Sequence, residues 1–233
     1  MKRREFATLL GAGVMAHPVL AADNELTAKQ KSEGWKLVFD GMSLAGWKTT
    51  GRAEAWTIVE GAITRSSGGG GYAYTEQQFE DFVLQVDYKM GARVNSGVFF
   101  RWSNLNDPVN TGIEMQVYDS HGREKPGKHD NGAIYDLIAP SKNTTKPAGD
   151  WNHAVITCDG PKLMIEMNGE KICEMNVDKW TEAGKNPDGT GNKFRYAYKD
   201  LPRKGHLGFQ DHGGMVAFKN VKIKELKSSL KSK

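Results

Sequence analysis

The sequence has little that marks a familiar hydrolase or a nucleic-acid binder. There is no Gly-x-Ser-x-Gly nucleophile elbow and no His-Glu-x-x-His helix, so neither the serine-hydrolase nor the zinc-protease pattern is present. The four glycines Gly68–Gly71 are not followed by Gly-Lys-Ser/Thr and open no helix, which excludes a phosphate loop. The six histidines, His17, His121, His129, His153, His206 and His212, are scattered, and no pair has ligand spacing by itself. A metal site would have to be assembled in three dimensions. The formal net charge of +4 sits at the chain ends: the first five residues carry +2 and the last twelve +4, leaving −2 for the body. A nucleic-acid face needs clustered Lys and Arg on the folded domain, so that class is excluded. Helix signals are scarce, and no internal repeat or proline-rich linker divides the chain.

Cysteine is the other shortage, with two residues, Cys158 and Cys173. They fall in what reads as a simple meander, with turns at Asp159–Pro161 and at Asn168–Gly169. One whole strand then separates the sulfurs by about 9–10 Å, or two strand spacings, which exceeds disulfide reach. The pattern argues against a bridge.

What is present begins with an export pattern. Residues 1–21 combine a basic start, a short apolar stretch from Ala7 to Ala16, and small residues Val19 and Ala21 before a cut ahead of Ala22. The apolar run is too short and glycine-rich to span a bilayer. Arg3-Arg4 followed by Phe6 resembles a twin-arginine signal. The expected location is periplasmic or secreted, with no membrane association after cleavage. Residues 22–35 form a lead-in, 36–226 one domain, and 227–233 a basic tail.

Glycine is abundant, at 27 residues, about 12% against a usual ~7%. Turn residues separate a dozen or so short strand signals. Phe82, Leu84, Val86, Tyr88 and Met90 alternate with polar residues at a period of two. Trp56–Glu60 and Ala62–Arg65 flank Gly61 as a hairpin. Weak helical character is confined to Thr27–Glu33 and Val177–Glu182. The order predicts an all-β sandwich or barrel. Two long turn-rich segments, Ser120–Gly132 and Ala183–Lys204, are expected to rim a binding cleft.

The most informative chemistry lies in Gly112–Asp119 (GIEMQVYD). In a strand, Glu114, Gln116 and Tyr118 share one face. Phe99 and Arg101 share a face of an upstream strand, which would set Arg101 near Glu114. The spacing Glu114-x-Gln116-x-x-Asp119 is similar to the Glu-x-Asp-x-x-Glu run of some retaining glucanases. Here the middle acid is Gln and the last is the shorter Asp, a departure from that chemistry. A second segment, Gly208–Gly213 (GFQDHG), places Gln210, Asp211 and His212 at a strand end, where an adjacent Asp and His can tune each other.

These segments together resemble the 3-keto-disaccharide hydrolase family. The matching pieces include Leu37–Gly41, Leu44–Trp47, Trp56–Gly61, Asn95–Arg101, Gly112–Asp119, Gly132–Tyr135, Trp151-Asn152 and Leu207–Gly213. Their order runs through nearly the whole mature chain. The resemblance implies a two-sheet antiparallel jelly-roll sandwich of the concanavalin A-like lectin/glucanase type. It also implies a carbohydrate substrate whose C3 hydroxyl has been oxidised to a ketone, and a functional link to a sugar 3-dehydrogenase.

A C3 ketone acidifies the hydrogen on C2, so elimination followed by hydration gives net hydrolysis. That route needs a base near C2, an electrophile on the C3 oxygen and an acid near the leaving oxygen. Glu114 or His212 is the expected base, and Asp211 would orient His212. Arg101 and Gln210, or a bound divalent metal held by a set drawn from Glu114, Asp119 and His212, would polarise the ketone. Asn95, Gln116, Tyr118 and Tyr135 are expected sugar contacts. Trp151 is either a sugar platform or a core residue, and Asp119 a ligand, a second carboxylate or a turn cap. The same fold also serves non-catalytic carbohydrate-binding modules, the alternative reading.

Overall fold

The computed structural model describes residues 22–227; the export pattern at 1–21 and all but the first residue of the basic tail lie outside them. The strands are β1 (Lys36–Leu37), β2 (Trp47–Thr49), β3 (Trp56–Val59), β4 (Ala62–Arg65), β5 (Tyr72–Phe79), β6 (Phe82–Met90), β7 (Asn95–Trp102), β8 (Ile113–Tyr118), β9 (Asn152–Asp159), β10 (Lys162–Met167), β11 (Glu170–Asn176), β12 (Gly205–Gln210) and β13 (Val216–Glu225). They form two antiparallel sheets. The larger has the order β11-β10-β9-β6-β13-β4-β3, with β1 added on β13, and the smaller has the order β2-β5-β12-β7-β8.

The period-two pattern of β6 is realised as read. Phe82, Leu84, Val86, Tyr88 and Met90 are all buried, and the residues between them are partly open. They face Val98 and Phe100 of β7, Met115 and Val117 of β8, and Leu207 and Phe209 of β12 across the sandwich. Phe209 stacks on Phe218 with ring centroids 3.9 Å apart and on Trp47 at 5.1 Å. This interior fixes which faces of β7, β8 and β12 turn outward.

The turn chemistry also holds. Asn168 and Gly169, both at positive φ, close the β10–β11 hairpin, and a two-residue turn of this kind suits the twist of paired strands. Thr27 caps the short helix α1 (Ala28–Ser32) through a reciprocal capping box with Gln30. Val177–Lys179 is only a single 3-10 turn. In the β9–β10–β11 meander Cys158 pairs across from Leu163, and Cys173 across from Ile165. Both cysteines are buried free thiols. No described helix is long and apolar enough to cross a membrane.

Candidate active site

The outer face of the five-stranded sheet gathers the polar residues. β7 and β8 pair with Asn95 opposite Tyr118, Gly97 opposite Gln116 and Phe99 opposite Glu114. Gly208 of β12 lies opposite Phe99 on one side and Tyr74 of β5 on the other. Gln210 pairs with Tyr72 and follows Phe209, which pairs with Val98, so it sits beside Gly97. Two rows result: Tyr72, Gln210, Gly97 and Gln116 in one, and Tyr74, Gly208, Phe99 and Glu114 in the next.

The loop after β8 extends the second row. Residues 132–135 return along the β8 edge, where Ile134 bridges Met115 and the Tyr135 amide donates to the Glu114 carbonyl at 3.0 Å. Tyr135 therefore stands opposite Glu114 on the same face. Asp136, at φ 59°, accepts from the Lys193 amide at 2.8 Å. That contact ties the 120–149 loop to the 183–204 loop beside the site.

Glu114 is the chemically distinctive group. Gly97 leaves room for it, because a Cβ there would overlap the Glu114 carboxyl. No hydrogen bond reaches that carboxyl from the described residues. Burial pushes its pKa up to about 8, with the Lys193 charge pulling the other way. Beside it, Gln116 is 2% exposed and donates from Nε2 to Asn95 Oδ1 and to the His129 carbonyl, both at 3.3 Å. Gln116 Oε1 and Gln210 Oε1 are buried acceptors without a donor. Such groups are costly.

An aromatic group adjoins the carboxyl. The Tyr72 ring meets Phe99 at 5.1 Å and Trp102 at 5.2 Å, and Tyr74 meets Trp102 at 5.6 Å and His206 at 5.4 Å. The Tyr72 hydroxyl accepts from Gln210 Nε2 at 3.2 Å. Its pKa is raised by burial, opposed by that hydrogen bond and reinforced by Glu114. Tyr198 is likewise raised by burial, Glu114 and Asp136.

Asn95, Glu114, Gln116, Tyr118, Tyr135 and Gln210 thus share one face. The other expected residues do not join them. Arg101 adopts φ 50° at a bulge in β7, where Trp102 and Phe99 span three residues against two of β12. The bulge turns Arg101 inward, 2% exposed, onto Asp81 Oδ1 at 2.9 Å and the Glu80 carbonyl, and brings Trp102 to the outer face instead. Asp211 does not orient His212: it is held by Arg65 and by the amides of Gly70 and Gly213. These partners outweigh its burial and lower its pKa. His212 is exposed in the following turn. Trp151 is neither platform nor core; it lies on the outer face of the other sheet beneath Lys89 and Lys219, whose Nζ atoms are 4.9 and 4.3 Å from its ring. Asp119 caps a turn, accepting from the Arg93 amide at 2.8 Å.

The metal set of Glu114, Asp119 and His212 is therefore dispersed. Among the described residues no group of three His, Cys, Asp or Glu side chains converges. Sequence reading missed Tyr72, Tyr74, Trp102, His129, Asp136 and Lys193. The Tyr72/Tyr74 alternation was available as a signal; the loop residues had none. A surface groove of about 430 Å³ lined by residues of the 179–189 stretch has no aromatic wall. Its Lys185 and Glu182 are already paired.

This architecture defines a lectin- and glucanase-like jelly-roll sandwich with an amide- and tyrosine-lined outer face. The chain belongs to the 3-keto-alpha-glucoside-1,2-lyase-like domain family, whose profile matches residues 34–224. A 3-keto-disaccharide hydrolase of Bacteroides thetaiotaomicron is 27% identical over 84% of this chain and 79% of that protein. A Parabacteroides distasonis crystal structure, provisionally described as a glycosyl hydrolase, is 32% identical with a TM-score of 0.75, covering 82% of this chain and 99% of that one. A Bacillus subtilis protein with a galectin-like fold, 11% identical with a TM-score of 0.50 over 88% of this chain and 94% of that one, shares the fold alone.

Proposed function

We propose that the chain is an exported enzyme that cleaves the glycosidic bond of 3-keto-glycosides or 3-keto-disaccharides by elimination and hydration. The observation that carries the reading is Glu114: a carboxyl with no hydrogen-bond partner, raised to about 8, set among tyrosines and amides on the outer face. A carboxylate whose proton affinity has been raised is a stronger base than an exposed one. Family membership and the Bacteroides relative's name support the substrate class. Export rests on the pattern in residues 1–21.

In the first half-reaction the Glu114 carboxylate takes the proton from C2. The C2–H electrons form the enolate with the C3 carbonyl, and the C1–O bond then breaks, its electrons leaving with the aglycone oxygen. Water next adds across the C1–C2 double bond, with hydroxyl to C1 and a proton to C2. The tyrosine hydroxyls of Tyr72 and Tyr135 and the Lys193 ammonium are the donors available to the enolate oxygen. Gln210 Nε2 gives one N–H to the Tyr72 hydroxyl, and its second N–H is a further donor. Formation of the ketone requires a prior oxidation at C3, the reaction class of a sugar 3-dehydrogenase.

Deuterium at C2 tests the route. Wild-type enzyme should release the aglycone more slowly from a C2-deuterated 3-keto-glucoside and wash the label into water, and Glu114→Gln should do neither. Label retained at C2 in the product sugar would overturn the elimination.

A further inference from the structure

Elimination needs a second proton, on the departing oxygen, and the proposed base does not by itself account for it. Next to the base, on the 120–149 loop, stands an imidazole–carboxylate pair. His129 Nε2 lies 2.9 Å from Asp136 Oδ1. The imidazole packs on Tyr135 with ring centroids 4.8 Å apart and the planes 36° from parallel, and Tyr135 stands opposite Glu114. The His129 carbonyl receives Gln116 Nε2, so the loop is fastened to the site floor at this residue. Asp136 is held in turn by the Lys193 amide, and Lys193 Nζ covers the Tyr135 ring at 4.2 Å. An imidazolium with Nε2–H fixed on a carboxylate keeps Nδ1–H as the proton it can give away. His129 is exposed on the rim, where an aglycone would pass out of the site.

We infer that His129, oriented by Asp136, is the general acid that protonates the leaving aglycone oxygen, and the base that activates the water afterwards. The inference rests on the elimination reading of this site. The proton balance closes. In elimination Glu114 gains the C2 proton, and His129 gives its Nδ1 proton to the aglycone oxygen as the C1–O bond breaks. In hydration neutral His129 takes a proton from the water that adds to C1, and Glu114, whose carboxyl proton has exchanged with solvent after the aglycone leaves, gives a proton to C2. Both groups end as they began. The ionisable groups facing His129 are Asp136 and Tyr135 from its own loop and Lys193 from the other; Glu114 stands beyond Tyr135.

The test uses 3-keto-glucosides with leaving groups that range from nitrophenol, which departs without a proton, to simple alcohols, which do not. In single turnover, His129→Gln should lose about 100- to 10,000-fold in the rate of aglycone release from alkyl substrates and keep the wild-type release rate on the nitrophenyl one, because hydration follows that step. Asp136→Asn should show the same dependence with a smaller loss. Thermal unfolding of His129→Gln should match wild type, because the side chain is exposed. A loss of equal size on every leaving group, or no loss on any, would overturn the assignment of His129 alone. If wild-type protein releases no aglycone from any member of the series, the elimination reading falls and this inference with it.

Discussion

Removing the charge of Glu114 should stabilise the protein at alkaline pH. The group titrates near 8 in the folded chain, from a reference value of 4.5. Its folded pKa is raised, so the native state binds more protons than the unfolded state between those values. Stability from this group is therefore complete below about pH 4.5, falls as pH rises towards 8, and is level above that. At 1.36 kcal/mol per unit the shift corresponds to about 5 kcal/mol, an upper figure because part of the side chain is open to solvent, so about 2–5 kcal/mol is expected. Glu114→Gln keeps the shape and loses the titration. Urea unfolding of both proteins near pH 5 and pH 9 isolates the effect, since histidines and surface groups are common to both. The variant should lie within about 1 kcal/mol of wild type near pH 5 and exceed it by the larger amount near pH 9. A variant no more stable than wild type near pH 9, or one offset by the same amount at both, would refute the buried-carboxyl argument.

Three further outcomes follow from the same geometry. Gly97→Ala places a methyl group where the Glu114 carboxyl lies; it should cost about 1–3 kcal/mol by urea unfolding and displace the rising limb of the pH–rate profile, set by Glu114, towards acid. Arg101→Met leaves Asp81 buried without its cation, and urea unfolding should show a loss of about 3–5 kcal/mol, with the turnover of the remaining folded enzyme kept. Trp151→Ala should leave kcat/KM unchanged, because the ring sits under Lys89 and Lys219 on the far sheet.

The strand alternation of Phe82–Met90, the hairpin turn at Asn168-Gly169 and the shared face of Glu114, Gln116 and Tyr118 were legible because each follows from local periodicity or turn chemistry. Arg101 was not. A single bulge residue at positive φ reverses the alternation of β7, so Arg101 and Trp102 exchange faces. Nothing in Asn95–Trp102 announces that reversal. Asp211 and His212 show a second limit: neighbours in sequence point apart at a strand end, and the partner of Asp211 is Arg65, 146 residues away. His129 and Asp136 were invisible for a related reason, since their meeting depends on how a long loop returns to β8. Trp151 fell in the right kind of segment but on the wrong sheet.

The most direct measurement of the central claim is aglycone release by the mature protein from a 3-keto-glucoside and from its unoxidised parent, side by side. The account predicts release from the keto form alone and, with a nitrophenyl aglycone, which needs no acid, release that rises with pH as Glu114 ionises near 8. Equal release from the parent sugar would contradict the need for a ketone, and saturable binding of either sugar with no release from the keto form would make the outer face a binding surface rather than an active site.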